Sequence, residues 1–247
     1  VSGTCSVTGS TLTPGDAGSS CVVRATKAQD TNYLVESSAD TAVVIARASQ
    51  SSLVVTSTTA TYGSTLSLTT SGGSGTGAVT WQIMLGTCTV TGSTLTPGDA
   101  GSTCSVRATK AQDTNYLVEN SSNTTVTINR ASQSSLTVTS TSATYGSTLA
   151  LTATGGSGGG SVSWSVVSGT CTVSGSTLTP GNAGSSCVVR ATKGLDTNYN
   201  AVNSADTAIT INRASQAALS VSSTSATYGQ TLSMTDRKST RLNSSHT

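Results

Sequence analysis

Hydrophobic and polar residues alternate along short stretches of this chain, which is the period of a β-strand with one buried face. In the stretch from 48 to 130, the alternating apolar residues are Leu53, Val55, Leu66, Leu68, Val79, Trp81, Ile83, Cys88, Val90, Cys104, Val106, Ala108, Val126 and Ile128. Turn signals separate them roughly every 8–12 residues, and no window has apolar residues at helical spacing. This pattern predicts about seven short strands folded as a small β-sandwich.

The pattern recurs with a fixed period. Residues 1–47 match 84–130 and 167–213, and corresponding cysteines lie 83 residues apart. A unit of that length suits one small sandwich and is too long for a solenoid repeat. The sequence therefore predicts an all-β tandem array of sandwiches of about 83 residues each, arranged like beads on a string.

Domain boundaries are predicted at a recurring Arg-Ala-Ser-Gln segment, found at 47–50, 130–133 and 213–216. On this basis 1–47 is the C-terminal part of a truncated domain, and 214–235 is the start of a further one. The complete domains are 48–130 and 131–213. Because almost no linker remains, we expect semi-rigid neighbours and contacts mainly between neighbouring repeats.

Charge argues against nucleic acid as a partner. Only 9% of residues are charged, and the net charge is +2. Removing residues 236–247 takes away three basic residues and one acidic residue, which leaves nine of each sign. Phosphate binding needs clustered Lys and Arg, whereas the body of this chain is neutral. The sequence also has no apolar run long enough for membrane insertion.

Six cysteines, two in each copy, carry the strongest chemical signal. They are Cys5 and Cys21, Cys88 and Cys104, and Cys171 and Cys187. Structural zinc usually needs four Cys or His ligands, and a copy offers two Cys and no His. We therefore predict structural disulfides, no metal and no cofactor, and an exported protein at the cell surface or outside the cell. If Cα atoms of a pair lay beyond ~7 Å, this prediction would fail.

The run from Gly169 to Lys193, continuing to Asp196-Thr-Asn-Tyr199, resembles bacterial immunoglobulin-like repeats. The resemblance covers all three copies. It implies an immunoglobulin-like fold and a structural role as a stalk or adhesin shaft in a secreted or surface-attached protein. The cysteines depart from the antibody arrangement, because Cys88 and Cys171 follow Trp81 and Trp164. An antibody-type bridge between sheets is therefore not implied.

The end of the chain resembles something else. Residues 236–246 match the translation of a common sequencing-adapter oligonucleotide over eleven consecutive codons. We therefore interpret 236–247 as an adapter-derived artefact. On this interpretation the single histidine, His246, and the sequon at Asn243 have no biological meaning.

No catalytic residues are predicted. Nucleophilic catalysis needs a base beside the nucleophile, and no histidine remains without His246. Asp30 with Glu36, or Asp113 with Glu119, could form a carboxylate pair, but the third copy has no second acid. Surface carboxylates explain these residues better, so we expect a protein that is not an enzyme.

The recurring Asp-Thr-Asn-Tyr segment, for example Asp113 to Tyr116, could contribute to a calcium site. Calcium takes six to eight oxygen ligands, and this segment offers too few. A turn capped by the Asp side chain, with the tyrosine packed at the sandwich edge, is favoured. A Lys110–Asn115 isopeptide crosslink is a further, less favoured hypothesis.

Other features have ordinary explanations. The glycine-rich segments 71–77 and 155–160 are expected to be flexible hairpin loops. Trp81 and Trp164 could stack on sugars but fit a core position in an alternating strand. Sequons begin at Asn120 and Asn123, and such matches arise easily in a Ser/Thr-rich chain. The alternative to a spacer is a binding module that contacts an extracellular glycan or host protein through its repeated loops.

Overall fold

The computed structural model describes residues 1–221 and 224–232. All regular elements in this part of the chain are β-strands, and it contains no helix that could span a membrane. The predicted all-β class is confirmed. The adapter-like segment, 236–246, lies outside the described residues, as do parts of the predicted start of a further domain.

Within the described residues, twenty-nine strands follow the order of the sequence copies. Those before residue 48 are β1 (Ser2–Gly3), β2 (Ser6–Thr8), β3 (Thr11–Thr13), β4 (Cys21–Val23), β5 (Thr26–Lys27), β6 (Glu36–Ser37) and β7 (Thr41–Ala42). Those from 48 to 130 are β8 (Leu53–Val55), β9 (Thr59–Thr61), β10 (Leu66–Ser67), β11 (Thr70–Gly72), β12 (Val79–Gly86), β13 (Thr89–Thr91), β14 (Thr94–Thr96), β15 (Cys104–Lys110), β16 (Glu119–Asn120), β17 (Thr124–Thr125) and β18 (Thr127–Asn129). Those from 131 to 213 are β19 (Leu136–Val138), β20 (Ser142–Thr144), β21 (Leu149–Ala150), β22 (Ala153–Gly155), β23 (Val162–Gly169), β24 (Thr172–Ser174), β25 (Thr177–Thr179), β26 (Cys187–Lys193), β27 (Val202–Asn203), β28 (Thr207–Ala208) and β29 (Thr210–Asn212).

The longest ladder of the second copy joins β12 to β15. It runs antiparallel from Val79 opposite Lys110 to Gly86 opposite Cys104, with a register shift between Ile83 and Leu85. Strand β15 also pairs with β16 and β17, while β14 lies between β10 and β13. Strand β8 pairs antiparallel with β11, and β9 pairs parallel with β18.

The third copy repeats this topology. Strand β23 pairs with β26, β25 lies between β21 and β24, and β19 pairs with β22. Strands β20 and β29 pair parallel, as β9 and β18 do. The same sequence pattern therefore gives the same strand pairing 83 residues later.

The chain divides into two compact units. The first comprises residues 1–134, 157–160 and 194–202. The second comprises 135–156, 161–193 and the described residues from 203 onward.

Alternating residues from several strands form the core of the first unit. Leu95, Val106 and Val126 are fully buried, and Trp81 packs against the same cluster while remaining partly exposed. In the second unit, Leu178 and Val189 are fully buried at the equivalent positions. Because burial follows the period-2 pattern, the sequence alternation accounts for which face of each strand points inward.

Candidate contact site between successive sequence copies

Three disulfides close the Cys–turn–Cys loops. Their Cα–Cα separations are 5.5 Å for Cys5–Cys21, 5.7 Å for Cys88–Cys104 and 5.6 Å for Cys171–Cys187. All three lie within the limit of ~7 Å for a bridge. Since Cys104 is opposite Gly86 in the ladder and Cys88 follows β12, the second bridge staples neighbouring strand ends.

Each disulfide loop carries a Pro-Gly-Asx-Ala turn, which we call the docking turn: 14–17, 97–100 and 180–183. In the second copy, Ser102 donates from its backbone N–H (3.0 Å) and from Oγ (2.6 Å) to the carbonyl of Asp99. Ser102 Oγ lies 3.0 Å from Thr87 Oγ1, and the N–H of Gly101 donates to the carbonyl of Ile128 at 2.9 Å. The docking turn is thus held by its own copy.

Glycine is required inside this turn. A Cβ on Gly98 would overlap the Thr87 side chain, and the same overlap occurs between Gly15 and Thr4 and between Gly181 and Thr170. The turn therefore packs directly on the residue that precedes the first cysteine of its loop.

The Asp-Thr-Asn-Tyr segments, which we call corners, lie at 30–33, 113–116 and 196–199. In the second corner, Oδ1 of Asp113 accepts hydrogen bonds from the backbone N–H groups of Asn115 and Tyr116, both at 2.9 Å. The N–H of Asp113 donates to the carbonyl of Tyr116 at 3.1 Å. This is the Asp-capped turn favoured from the sequence.

The second carboxylate oxygen of Asp113 holds the glycine-rich loop. Oδ2 accepts from the N–H of Thr76 at 2.6 Å, and a Cβ on Gly75 would overlap this carboxylate. The Thr76 and Asn115 N–H bonds, in that order, lower the pKa of Asp113 below its usual value, because they stabilise the charged form. The loop therefore lies against the corner, which is a role the sequence pattern did not indicate.

The Asn115 side chain joins its corner to the docking turn of the preceding copy. Its Oδ1 accepts from the N–H of Ala17 at 2.8 Å, and its Nδ2 donates to Oδ1 of Asp16 at 2.8 Å. An amide can accept and donate at once, and here both functions meet matching groups. Asn115 is thus complementary to the docking turn.

The chain between the copies binds the same corner. The N–H of Ala48 donates to the carbonyl of Asn115 at 2.8 Å, and Leu117 N–H donates back to the carbonyl of Ala48 at 2.9 Å. Nε of Arg47 donates to the carbonyls of Asp113 (2.9 Å) and Thr114 (3.2 Å). No free linker remains at this boundary.

The second boundary repeats these bonds, and all the residues involved belong to the first unit. Oδ1 of Asn198 accepts from Ala100 N–H at 2.8 Å, and its Nδ2 donates to Asp99 Oδ1 at 2.9 Å. The N–H of Ala131 donates to the carbonyl of Asn198 at 2.9 Å. Nε of Arg130 donates to the carbonyl of Asp196 at 2.9 Å. The contact is therefore a repeated feature of the array.

Glutamine and tyrosine complete the site. Gln50 is buried, and its Nε2 donates to the carbonyls of Ala111 (3.2 Å) and Leu117 (2.6 Å). At the second boundary, the rings of Tyr62 and Tyr199 meet edge to face with centroids 5.5 Å apart. Such an aromatic pair adds a specific contact to the polar ones.

The other predicted candidates do not assemble a reactive site. Glu119 lies opposite Lys110 in the sheet, while Asp113 caps its turn. The Asn115 amide is bonded to the docking turn, which is not the arrangement of a Lys110 crosslink. The described residues contain no group of three or more His, Cys, Asp or Glu side chains able to hold a metal ion.

The remaining candidates are the tryptophan proposed to stack on sugars, the asparagines of the sequons and the single histidine. Trp164 is partly buried on β23, opposite the buried Ala191. Oδ1 of Asn120 accepts a hydrogen bond from Thr109 Oγ1 at 2.6 Å, and Asn123 is exposed. His246 and Asn243 lie outside the described residues.

Comparison with solved structures gives several matches, which include two tandem-repeat proteins. The structure of Drosophila N-cadherin EC1-4 aligns with a TM-score of 0.29 and 10% identity over 77% of this chain. This chain covers 57% of that structure. The tandem Ig repeats of Dlar align with a TM-score of 0.24 and 12% identity over 68% of this chain and all of theirs. No protein-family model and no curated protein sequence matches the chain.

Proposed function

We propose that the chain is a structural repeat region of an exported bacterial cell-surface protein, acting as a stalk, spacer or adhesin shaft. It would hold another part of the parent protein at a distance from the cell. The observation that carries this proposal is the same corner-to-turn contact at both boundaries, 83 residues apart.

A spacer must transmit position along its length, and this needs boundaries that resist bending. At each boundary a backbone pair and an Arg side chain bind one corner, and the Asn side chain of that corner binds the preceding docking turn. Relative motion is the default for domains joined by small polar interfaces. Arg47 and Ala48 restrict this motion at the first boundary, because both residues are hydrogen-bonded to the next corner.

The disulfides support an exported protein. Such bonds persist in oxidising compartments, and a small core gains most from a covalent staple. In the unfolded-state entropy model, closing a loop of 16 residues stabilises each copy by roughly 3 kcal/mol. This stabilisation would protect the array from local opening and proteolysis.

The same contacts weigh against ligand binding through the covered corners. At Asp113, the carboxylate oxygens accept from backbone N–H groups, and the Asn115 amide is used by the docking turn. A glycan would have to displace these partners. A spacer therefore accounts for these polar groups better than a repeated binding loop.

Binding to a glycan array and to host cells tests the proposal. We expect the purified chain to bind neither above the level of an unrelated small β-sandwich protein. Saturable binding would contradict a pure spacer. If it were abolished by Tyr33→Ala, at the exposed corner of the first copy, the binding-module alternative would replace the spacer.

A further inference from the structure

The docking turn lies inside the disulfide loop of its own copy. Asp99 and Ala100, which bond to Asn198, both fall between Cys88 and Cys104. At the first boundary, Asp16 and Ala17 fall between Cys5 and Cys21 in the same way. The cross-linked loop is thus also the loop that contacts the next copy.

The cysteines flank the residues that support the turn. Thr87 precedes Cys88, packs on Gly98 and contacts Ser102. The N–H of Thr87 also donates to the carbonyl of Thr103, which precedes Cys104, at 3.3 Å. The two side chains that hold the docking turn, Thr87 and Ser102, therefore lie within two residues of a bridged cysteine.

The third copy holds its docking turn with the same internal bonds. In the third copy, Ser185 donates to the carbonyl of Asn182 from its N–H (3.0 Å) and Oγ (2.7 Å), and Thr170 Oγ1 lies 2.8 Å from Ser185 Oγ. Within the described residues, no hydrogen bond joins Asn182 to a corner. The turn is therefore preorganised by its own loop, which lowers the entropy cost of docking.

We infer that each disulfide is a positioning device for the contact between copies. With the bridge intact, the turn presents the Ala N–H and the Asx side-chain oxygen to the Asn of the next corner. With the bridge absent, the supports can separate and the turn leaves the corner, while the strands keep their pairing. This inference rests on the proposed spacer function and makes the stiffness of the spacer depend on the bridges.

The test is amide hydrogen exchange, read by mass spectrometry, on the whole chain. The test variant is Cys88→Ser with Cys104→Ser, and the matched control is Cys171→Ser with Cys187→Ser, whose docking turn meets no corner among the described residues. Two peptides report the contact: one containing Ala100 and one containing Ala131, whose N–H bonds to Asn198 from outside the loop. A peptide from β15 reports whether the copy stays folded.

We expect the test variant to exchange at least about tenfold faster at Ala100 and Ala131, with β15 still protected. The control variant should leave both sites at the wild-type rate. Unchanged exchange at both sites in the test variant would overturn the inference, as would equal acceleration in the control. Loss of β15 protection would also overturn it, because the bridge would then hold the copy as a whole.

The first boundary provides an independent check. Cys5→Ser with Cys21→Ser should accelerate exchange at Ala17 and Ala48 and leave Ala100 unchanged. None of these measurements involves a ligand or the length of the chain. A failure here is therefore distinguishable from a failure of the spacer function, which is judged by binding and scattering.

Discussion

Replacing Asn198 by alanine removes two hydrogen bonds from the second boundary and leaves the backbone pair intact. The bond from Ala100 N–H is 2.8 Å long and partly buried, and the bond to the Asp99 carboxylate is 2.9 Å long and exposed. A typical net value is about 1 kcal/mol for the first, and the exposed bond contributes less. We therefore expect the contact to weaken by about 1–2 kcal/mol, a factor of roughly 5–30 in its opening equilibrium.

Hydrogen exchange at Ala131 measures this opening, because its N–H donates to the backbone carbonyl of residue 198, which the substitution retains. The matched control is Asn32→Ala, in the same corner sequence of the first copy. The Asn32 side chain is exposed. Its replacement should therefore leave exchange at both boundaries unchanged. If Asn198→Ala accelerated exchange at Ala131 by less than about twofold, the side-chain bonds would contribute nothing to the contact, and the reasoning would be refuted.

Three further predictions follow from the core, the backbone and the corner. Leu95→Ala, at a fully buried position, should lower the free energy of unfolding by about 2–5 kcal/mol in urea titrations. The exposed Val54→Ala should stay within about 0.5 kcal/mol, and equal effects would contradict the predicted core. Gly86→Ala (φ 111°) should lower the free energy of unfolding more than Gly92→Ala (φ 60°), because a Cβ at Gly86 would overlap the carbonyl of Thr103, whereas a Cβ at Gly92 would meet nothing. Similar urea midpoints for the two variants would refute this. In an NMR titration, the pKa of the Asp113 carboxyl should lie below its usual value of 3.8. Its contribution to the free energy of unfolding is therefore present above pH 3.8 and is lost as the pH falls through the folded pKa. A midpoint at or above 3.8 would contradict the hydrogen bonds that its carboxylate accepts from backbone N–H groups.

Most of the strand pattern could be predicted from the sequence. The alternation at Val79, Trp81 and Ile83 marks β12, and that at Cys104, Val106 and Ala108 marks β15. Strands β11, β16 and β17 could not be predicted in this way. They are two or three residues long and consist of Ser, Thr, Gly, Glu and Asn, so they carry no apolar alternation.

The corner was predictable as a turn, but its partner was not. Asp16 and Asn115 are 99 residues apart and form an ordinary polar pair in a chain rich in such residues. Local rules describe turns and strand faces, whereas a contact between copies depends on tertiary placement. The available signal was recurrence, since the docking turn, the corner and the Arg-Ala-Ser-Gln segment keep polar identities across copies.

A residue difference between the copies gives a second contact that could not be predicted from the sequence. Arg24 and Arg190 each bind an Asp, at 2.7 Å from Asp40 and Asp206. The equivalent acid in the second copy is replaced by Asn123, and Arg107 instead donates to Gln82 Oε1 at 3.0 Å. The sequence shows that Asn123 replaces the acid. It does not show that Gln82 becomes the partner of Arg107, because Gln82 lies on another strand and is identified only from the register of the β12–β15 ladder.

Small-angle scattering from a chain with one added copy tests the spacer account most directly. A second copy of residues 48–130 would be inserted after residue 130, which preserves every boundary contact. With strands of ~20 Å plus loops, the account predicts that the maximum dimension grows by about 30–40 Å. A maximum dimension that grows by only about 5 Å, with the radius of gyration rising by about 2 Å as for a compact globule, would contradict it.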